Sequence, residues 1–299
     1  MRKEENGVAE EQDLPVNRKQ LFFRAFRNEY PVILLISVFM TLFAIPLFAV
    51  IMLSLAQLAQ QSGADLSVPE NVTAMYGTRF SMYLWCVPAL LVFAVGASGA
   101  FFVTRNLVWN RDIKFFRDFG KGIKDNVLQF EIVTLVFALF AFGVCYGLDV
   151  LSLRVGSGAV NTILTVLRVF LLFLAAAFLT FQYCGITVYK GSVLTQFKNS
   201  IVLVFGSLPL TTAALLGALS PLLAIMLFMF FQSVIVLILL STALAVVGFG
   251  FSVLLITLRC HTVFDKCVNK ENFPEIYRRG LFDKEAAQKK FNEEHNRQY

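Results

Sequence analysis

The stretch "NSIVLVFGSLPLTTAALLGALSPLLAIMLFMFFQSVIVLILLSTALAVVGFGFSVLLITL", residues 199–258, contains no charged side chain over about sixty consecutive positions. An α-helix rises about 1.5 Å per residue, so about 20 apolar residues cross the ~30 Å hydrocarbon core of a bilayer. The stretch is therefore long enough for two transmembrane helices. It indicates a membrane protein rather than a soluble domain.

The position of the turn between these two helices follows from their lengths. A hairpin at Pro221 would leave the rest of the stretch as one helix of about 55 Å, which is too long for the hydrocarbon core. We therefore predict the turn at 231–233. This gives a fifth span at about 209–230 and a sixth span at about 234–258.

Four further apolar runs precede this stretch and bring the predicted number of transmembrane helices to about six. The composition agrees, since 57% of the 299 residues are hydrophobic and only 15% are charged, whereas soluble domains have about 25% charged residues. We predict an all-α, polytopic membrane helix bundle with amphipathic interfacial helices on its cytoplasmic side. The first four spans are predicted at 32–56, 80–104, 132–148 and 162–189, and the interfacial helices at 18–31, 112–127 and 193–206.

Lysine and arginine are distributed very unevenly between the predicted loops. Of the 26 basic residues, 23 lie in the two terminal segments and in the loops at 105–125 and 190–198. The other three, Arg79, Arg154 and Arg168, belong to the opposite side. Because cytoplasmic loops are enriched in Lys and Arg, we predict a multi-pass membrane protein with both termini in the cytoplasm.

Three regions follow from this division of the chain. Residues 1–17 mix acidic and basic side chains, contain no aromatic residue and are expected to form a disordered cytoplasmic tail. Residues 18–258 are expected to form the six-span domain. Residues 259–299 are strongly charged and are expected to form a helical cytoplasmic tail.

The segment "RDIKFFRDFGKGIKDN", residues 111–126, mixes basic residues with phenylalanines. In a helix over 112–127, the apolar residues share one face and the charged residues the other. Single-stranded nucleic acid is excluded as a ligand, because its binding needs aromatic and basic side chains on the same face. Two compatible interpretations remain, a helix anchored in lipid and a docking face for a partner. The candidate contact residues are Arg111, Lys114, Phe116, Arg117, Phe119, Lys121 and Lys124.

No pattern typical of catalysis occurs in the chain. There are two histidines, His261 and His295, and no HExxH, Walker A or GxGxxG motif. The spacing of Cys260 and Cys267 fits no zinc site. We therefore predict a protein without enzymatic activity, cofactor or metal.

Two charged residues fall at or inside predicted spans, where charge is costly and often functional. Arg168 is followed by an apolar run long enough to span, so it either lies at the outer boundary or contributes to gating or substrate contact. Glu131 opens the third span, where it either stabilises a helix N-terminus or binds a coupling ion.

Three segments resemble the YesL family of bacterial integral membrane proteins. They are "VGASGAFFVTRNLVWNRDIKFFRDFGKGIKDNVLQF" (95–130), "FKNSIVLVFGSLPLTTAALL" (197–216) and "TVFDKCV" (262–268). The resemblance covers about residues 19–270. Genes of that family often lie beside genes for carbohydrate ABC transporters, so the resemblance implies an accessory role in sugar uptake and no catalytic residues.

Two functions from different classes remain open. The first is a non-enzymatic accessory or scaffold protein, with the lipid bilayer and the permease subunits of a carbohydrate ABC transporter as partners. The second is a secondary transporter or exporter of a small solute, which the number of spans favours. The spans contain few charged residues, which argues against the second function, because ion coupling usually needs a buried carboxylate.

Overall fold

A computed structural model describes residues 14–61, 63, 67–155, 158–189, 191–229 and 234–282. Within these ranges the secondary structure is helical and contains no strand, so the predicted all-α fold is confirmed. The α-helices are α1 (Arg18–Asn28), α2 (Tyr30–Gln61), α3 (Pro69–Val108), α4 (Phe115–Val155), α5 (Gly158–Val188), α6 (Val193–Gly206), α7 (Leu208–Met229), α8 (Val234–Ala243), α9 (Phe249–Phe264) and α10 (Lys270–Asn272).

The long apolar helices make this a multi-pass membrane protein. Among the described residues, α2, α3, α4 and α5 are each long and apolar enough to cross a bilayer, and so is the continuous helical stretch from Leu239 to Asn272. The pair formed by α6 and α7 passes the same test together but bends by 97° between its two helices. The predicted boundary between a short helix ending at 206 and the fifth span is confirmed, and the predicted turn at 231–233 lies outside the described residues.

One end of the bundle collects most of the basic residues that the structure describes, and we call it the basic end. Arg18 pairs with Asp265 across 2.7 Å, and the hydroxyl of Tyr189 donates to Oδ1 of Asn269 across 2.6 Å. The start of α1, the end of α5 and the segment after α9 therefore meet there. Trp109, just after α3, joins them through an edge contact with His261 at 6.0 Å between ring centroids.

The direction of α7 follows from its contacts with α9. Arg259 donates to the backbone oxygen of Ser207 across 3.3 Å, and the hydroxyl of Ser252 donates to the backbone oxygen of Ala218 across 2.5 Å. Residue numbers thus rise along α7 as they fall along α9, so the two helices are antiparallel. Because α9 runs towards the basic end, α7 leads the chain away from it.

Helices α3 and α4 approach each other closely through glycine. A Cβ atom at Gly122 would lie 2.6 Å from Cβ of Phe102 and 3.0 Å from Cα of Gly99. Small residues permit this kind of contact between membrane helices, where packing and not hydrophobic burial stabilises the association. This contact fixes the angle at which α4 leaves the basic end.

The last long helical stretch contains two π-helical segments, Leu244–Gly248 and Asp265–Asn269. A π-helical turn shifts the backbone hydrogen-bond register, so some backbone amides and carbonyl oxygens are available to groups outside the helix. The amide of Gly250 donates to Oγ of Ser37 across 2.6 Å, and Oγ1 of Thr41 donates to the backbone oxygen of Ala245 across 3.2 Å. The first π segment is therefore fastened to α2.

The basic segment predicted as a separate surface helix at 112–127 belongs instead to α4, which runs without a break from Phe115 to Val155. The side chain of Asp118 accepts from the backbone amide of Lys114 across 3.0 Å at the start of this helix. No proline separates the amphipathic turns from the apolar ones, so both continue as one helix. Asp118 also pairs with Arg117 at 3.1 Å.

The terminal segments differ from the predicted division of the chain. The final helical stretch does not end at 258 but continues to Asn272. Residues 1–13, most of the expected disordered tail, lie outside the described residues, as do residues 283–299 of the expected helical tail. Pro15 is fixed at the basic end, because its backbone oxygen accepts from the amide of Phe282 across 3.0 Å.

Candidate functional site

A polar cavity of about 930 Å³ opens at the basic end, between the end of α3, the start of α4 and the end of α5. We call it the basic cleft. Its wall combines cationic side chains with an indole ring and amide groups. Lining residues include Arg105, Trp109, Arg111, Arg117, Lys121 and Gln129.

Three guanidinium groups surround the indole ring of Trp109. The guanidinium carbons of Arg105 and Arg111 each lie 4.8 Å from the ring centroid, and that of Arg279 lies 4.7 Å from it. A cation over an indole face gains about 0.5–1 kcal/mol at an exposed site. The aromatic ring therefore holds three like charges close together.

These three arginines have no carboxylate within ion-pair distance among the residues that the structure describes. Arg105 donates to the backbone oxygen of Thr187 and to Oδ1 of Asn106, but its buried Nε has no described acceptor. Burial lowers the pKa of Arg111, and the nearby charge of Arg279 lowers that pKa further. An anion in the cleft would relieve this repulsion.

Acidic side chains also line the cleft, but they neutralise only part of its charge. Asp118 is buried and already accepts from Arg117 and from a backbone amide. Asp112 and Asp125 line the wall as exposed side chains. The cation cluster around Trp109 therefore attracts a negatively charged ligand.

Arg279 reaches the ring of Trp109 because the chain after α10 folds back against the end of α3. Gly280 has a φ of +81°, and a Cβ there would lie 2.1 Å from the backbone oxygen of Val108. Only glycine fits this left-handed, tightly packed position. The fold therefore specifies where the neighbouring Arg279 is placed.

Asp265 anchors the same segment. It pairs with Arg18 and also accepts from the side chain of Asn269 across 2.8 Å and from the backbone amide of Arg278 across 3.2 Å. Burial lowers the pKa of Arg18, and the charge of Asp265 partly offsets this effect. Both terminal segments are held at the basic end by one carboxylate.

The structure separates the seven predicted contact residues into two groups. Arg111, Lys114, Phe116, Arg117, Lys121 and Lys124 are exposed, and Phe116 is 70% exposed. Phe119 is only 4% exposed and packs against Phe39, with 5.1 Å between the ring centroids. The prediction of Phe119 as a lipid or partner contact is wrong, because α4 turns that side chain towards α2.

A second charged cluster lies at the other end of the bundle and includes one of the predicted residues. The carboxylate of Asp149 is 3% exposed and pairs with Arg168 and, at 3.6 Å, with Arg79. The hydroxyl of Tyr83 donates to its Oδ2 across 2.8 Å. This outer ion cluster joins α3, α4 and α5.

Sequence analysis identifies Arg168 but not its partner. Asp149 lies one position past the predicted third span at 132–148. A usable signal existed, since Asp149 is an isolated carboxylate near the end of an apolar run on the side that contains Arg79, Arg154 and Arg168. Arg279 offers no comparable signal, because nothing in the sequence links it to Trp109.

Glu131, the other predicted intramembrane residue, lies well inside α4 and not at its start. It is half-buried, lines neither the basic cleft nor the outer ion cluster, and has no hydrogen bond or ion pair to a described residue. The proposed role at a helix N-terminus is wrong, because α4 begins at Phe115, sixteen positions earlier.

No group of three His, Cys, Asp or Glu side chains able to hold a metal ion occurs within the part of the chain that the structure describes. Comparisons of this chain with protein-family models, curated proteins and solved structures find no match.

Proposed function

We propose that this protein is a YesL-like, non-enzymatic accessory or scaffold protein of the bacterial inner membrane, associated with the permease subunits of a carbohydrate ABC transporter. Its basic end faces the cytoplasm, in keeping with the excess of Lys and Arg in cytoplasmic loops. The resemblance of residues 95–130 and 197–216 to the YesL family supports the partner class.

One observation supports the docking role above all. Phe116 is 70% exposed at the start of α4 and is flanked by the exposed side chains of Lys114, Arg117 and Lys121. Aromatic and arginine side chains are enriched at protein interfaces. A basic and aromatic surface of this kind fits an acidic groove at the cytoplasmic face of a membrane partner, with Phe116 as the central apolar contact.

Co-purification from native membranes tests this function. The tagged protein is extracted in mild detergent, and the proteins recovered with it are identified for the wild type, for Phe116→Asp with Arg117→Glu, and for Phe205→Ala. Phe205 is a matched control, because it is 58% exposed but lies on α6.

We expect permease subunits with the wild type and with the control, and their loss with the double variant. Recovery of the wild type alone, together with unchanged sugar uptake after deletion of its gene, would contradict the proposal.

A second candidate function, a secondary transporter or exporter of a small solute, is favoured by the outer ion cluster. Ionisable groups within membrane helices often mark substrate or ion pathways, and Asp149 is buried between two arginines. In proteoliposomes, a transporter would move solute with the wild type and lose that flux in Asp149→Asn and Arg168→Ala. Absence of flux with candidate sugars and cations in the wild type would reject this candidate.

A further inference from the structure

An apolar groove between α4 and α5 adjoins the basic cleft. Gln129 and Ile186 line the cleft, and one helical turn deeper Val133 and Gln182 line a separate cavity of about 240 Å³. The groove then follows α4 to Phe140. From Gln129 to Phe140 the distance along the helix is about 16 Å, which is close to half of the ~30 Å hydrocarbon core and thus to the depth of one leaflet.

The walls of this groove are almost entirely apolar. They consist of aliphatic and aromatic side chains from α4 and α5, closed at one side by Phe197 of α6. Such a surface offers no hydrogen bond to a soluble ligand and suits a hydrocarbon chain. The lining residues include Val133, Val136, Phe140, Leu171, Leu174 and Phe178.

Gln182 interrupts this apolar wall at the junction with the basic cleft. Its side chain is 1% exposed, and neither its amide nitrogen nor its amide oxygen has a hydrogen-bond partner among the described residues. A buried amide without a partner loses its hydrogen bonds to water without replacing them, which costs free energy. A ligand that presents a hydrogen-bond acceptor at this depth would remove that cost.

Three chemical features are therefore arranged in order along one line. The cleft contains Arg105 and Arg111, which form no ion pair with a carboxylate among the described residues. Gln182 lies one helical turn from Ile186 along α5 and can donate a hydrogen bond. The apolar groove lies deepest. A phospholipid has the same order, with an anionic phosphate, an ester carbonyl and an acyl chain. A free phosphate would use only the first feature.

We propose that the basic cleft and the adjoining groove bind one anionic phospholipid. Its phosphate lies beside Arg105 and Arg111 within the field of Arg279, an ester carbonyl accepts from the amide of Gln182, and an acyl chain follows the groove along α4 and α5. This inference does not depend on the proposed accessory function, because it concerns a site on this chain alone.

Lipid titration of the purified protein tests the inference. The protein is delipidated in mild detergent, and its thermal midpoint and bound lipid are measured with dioleoyl phosphatidylglycerol, dioleoyl phosphatidylcholine, glycerol 3-phosphate and inorganic phosphate. The variants are Arg111→Gln with Arg279→Gln, Gln182→Leu, and Lys124→Gln. Lys124 is the matched control, because it is an exposed basic residue of α4 outside the lining of the cleft.

We expect phosphatidylglycerol to raise the thermal midpoint of the wild type and to remain bound, while the other three compounds have little effect. Loss of the charge-assisted contact of Arg111 and of the field of Arg279 should weaken its binding by at least about tenfold in the double arginine variant. Gln182→Leu should weaken binding less, because it removes one neutral hydrogen bond, and Lys124→Gln should bind as the wild type does.

Several results would overturn the inference. Equal stabilisation by phosphatidylcholine would show that the head-group charge is irrelevant. An equal effect of inorganic phosphate or glycerol 3-phosphate would assign the cleft to a free phosphate and leave the groove without a role. Unchanged phosphatidylglycerol binding in the double arginine variant, with its helix content intact by circular dichroism, would exclude the cleft.

Discussion

Phe116 and Phe119 lie three positions apart on α4 but in opposite environments. Phe119 is buried against α2 and Phe116 is 70% exposed. We predict that Phe119→Ala lowers the free energy of unfolding by about 3–5 kcal/mol, because it leaves a cavity among aromatic rings. Phe116→Ala should change it by less than about 0.5 kcal/mol. Thermal unfolding in detergent measures both, and an equal loss in the two variants would contradict the placement of α4.

Among the residues that the structure describes, Arg79 and Arg168 both form an ion pair with the same carboxylate, that of Asp149. We predict that Asp149→Asn destabilises the protein by about 1–3 kcal/mol, because it removes the shared counter-ion of the partly exposed Arg79 and Arg168. The double variant Asp149→Asn with Arg168→Gln should lose less than the sum of the two single changes, since the partners interact directly.

The control for this prediction is Arg154→Gln, which alters an exposed arginine at the same end of α4. Its unfolding free energy should match that of the wild type. If Asp149→Asn proved as stable as the wild type, the outer ion cluster would not hold α3, α4 and α5 together.

For individual residues, the sequence predicts the exposure of some side chains correctly and the contacts of others not at all. The exposed basic residues of 111–124 follow from amphipathic periodicity, which depends only on local spacing. Phe119 was placed on the wrong side, because periodicity does not show whether an apolar face meets lipid or another helix. The three arginines around Trp109 could not be predicted, since Arg279 reaches the ring only through a tertiary turn at Gly280.

At the scale of helices, the contact between α3 and α4 depends on the absence of a side chain at Gly122. We predict that Gly122→Ala costs about 1–3 kcal/mol of unfolding free energy, because its Cβ would overlap Phe102. Gly120→Ala, two residues earlier in the same helix, meets nothing within 4 Å. That change should be neutral or stabilising by up to about 1 kcal/mol through helix propensity. Equal effects of the two changes on the thermal midpoint would contradict the close approach.

Helix boundaries were predictable where the chain contains a local signal and not elsewhere. The break after residue 206 was found because Pro209 follows it, and α6 and α7 meet there at 97°. The continuity of α4 through Phe115 and Glu131 was missed, because an amphipathic helix and an apolar helix join without any breaking residue. The extension of the last helical stretch to Asn272 is not predicted either. The predicted span ends at 258 because charged residues begin at Arg259, but charged residues do not end a helix.

At the scale of the whole molecule, the described helices cross in alternating directions. The chain leaves the basic end along α2 and is back there at the end of α5, where Tyr189 donates to Asn269. Helix α7 is antiparallel to α9, so the chain leaves the basic end again along α7 and returns along α9. Apolar length alone predicts about six spans, and the described residues contain five helices long and apolar enough to cross, or up to six if the bent pair of α6 and α7 is one span. The joining of both terminal segments through Arg18 and Asp265 was not predictable, because that contact spans almost the entire chain.

Labelling of cysteines from one side of the membrane tests the central claim most directly. Cys267 is exposed at the basic end, and Arg154 lies near the opposite end of α4. Two variants are made, one with Cys267 as its only cysteine and one with Arg154→Cys as its only cysteine. In intact bacterial cells, a membrane-impermeant maleimide should label position 154 and should label Cys267 only after permeabilisation. Labelling of Cys267 in intact cells, or of both positions from the same side, would contradict a bundle that crosses the membrane with its basic end in the cytoplasm.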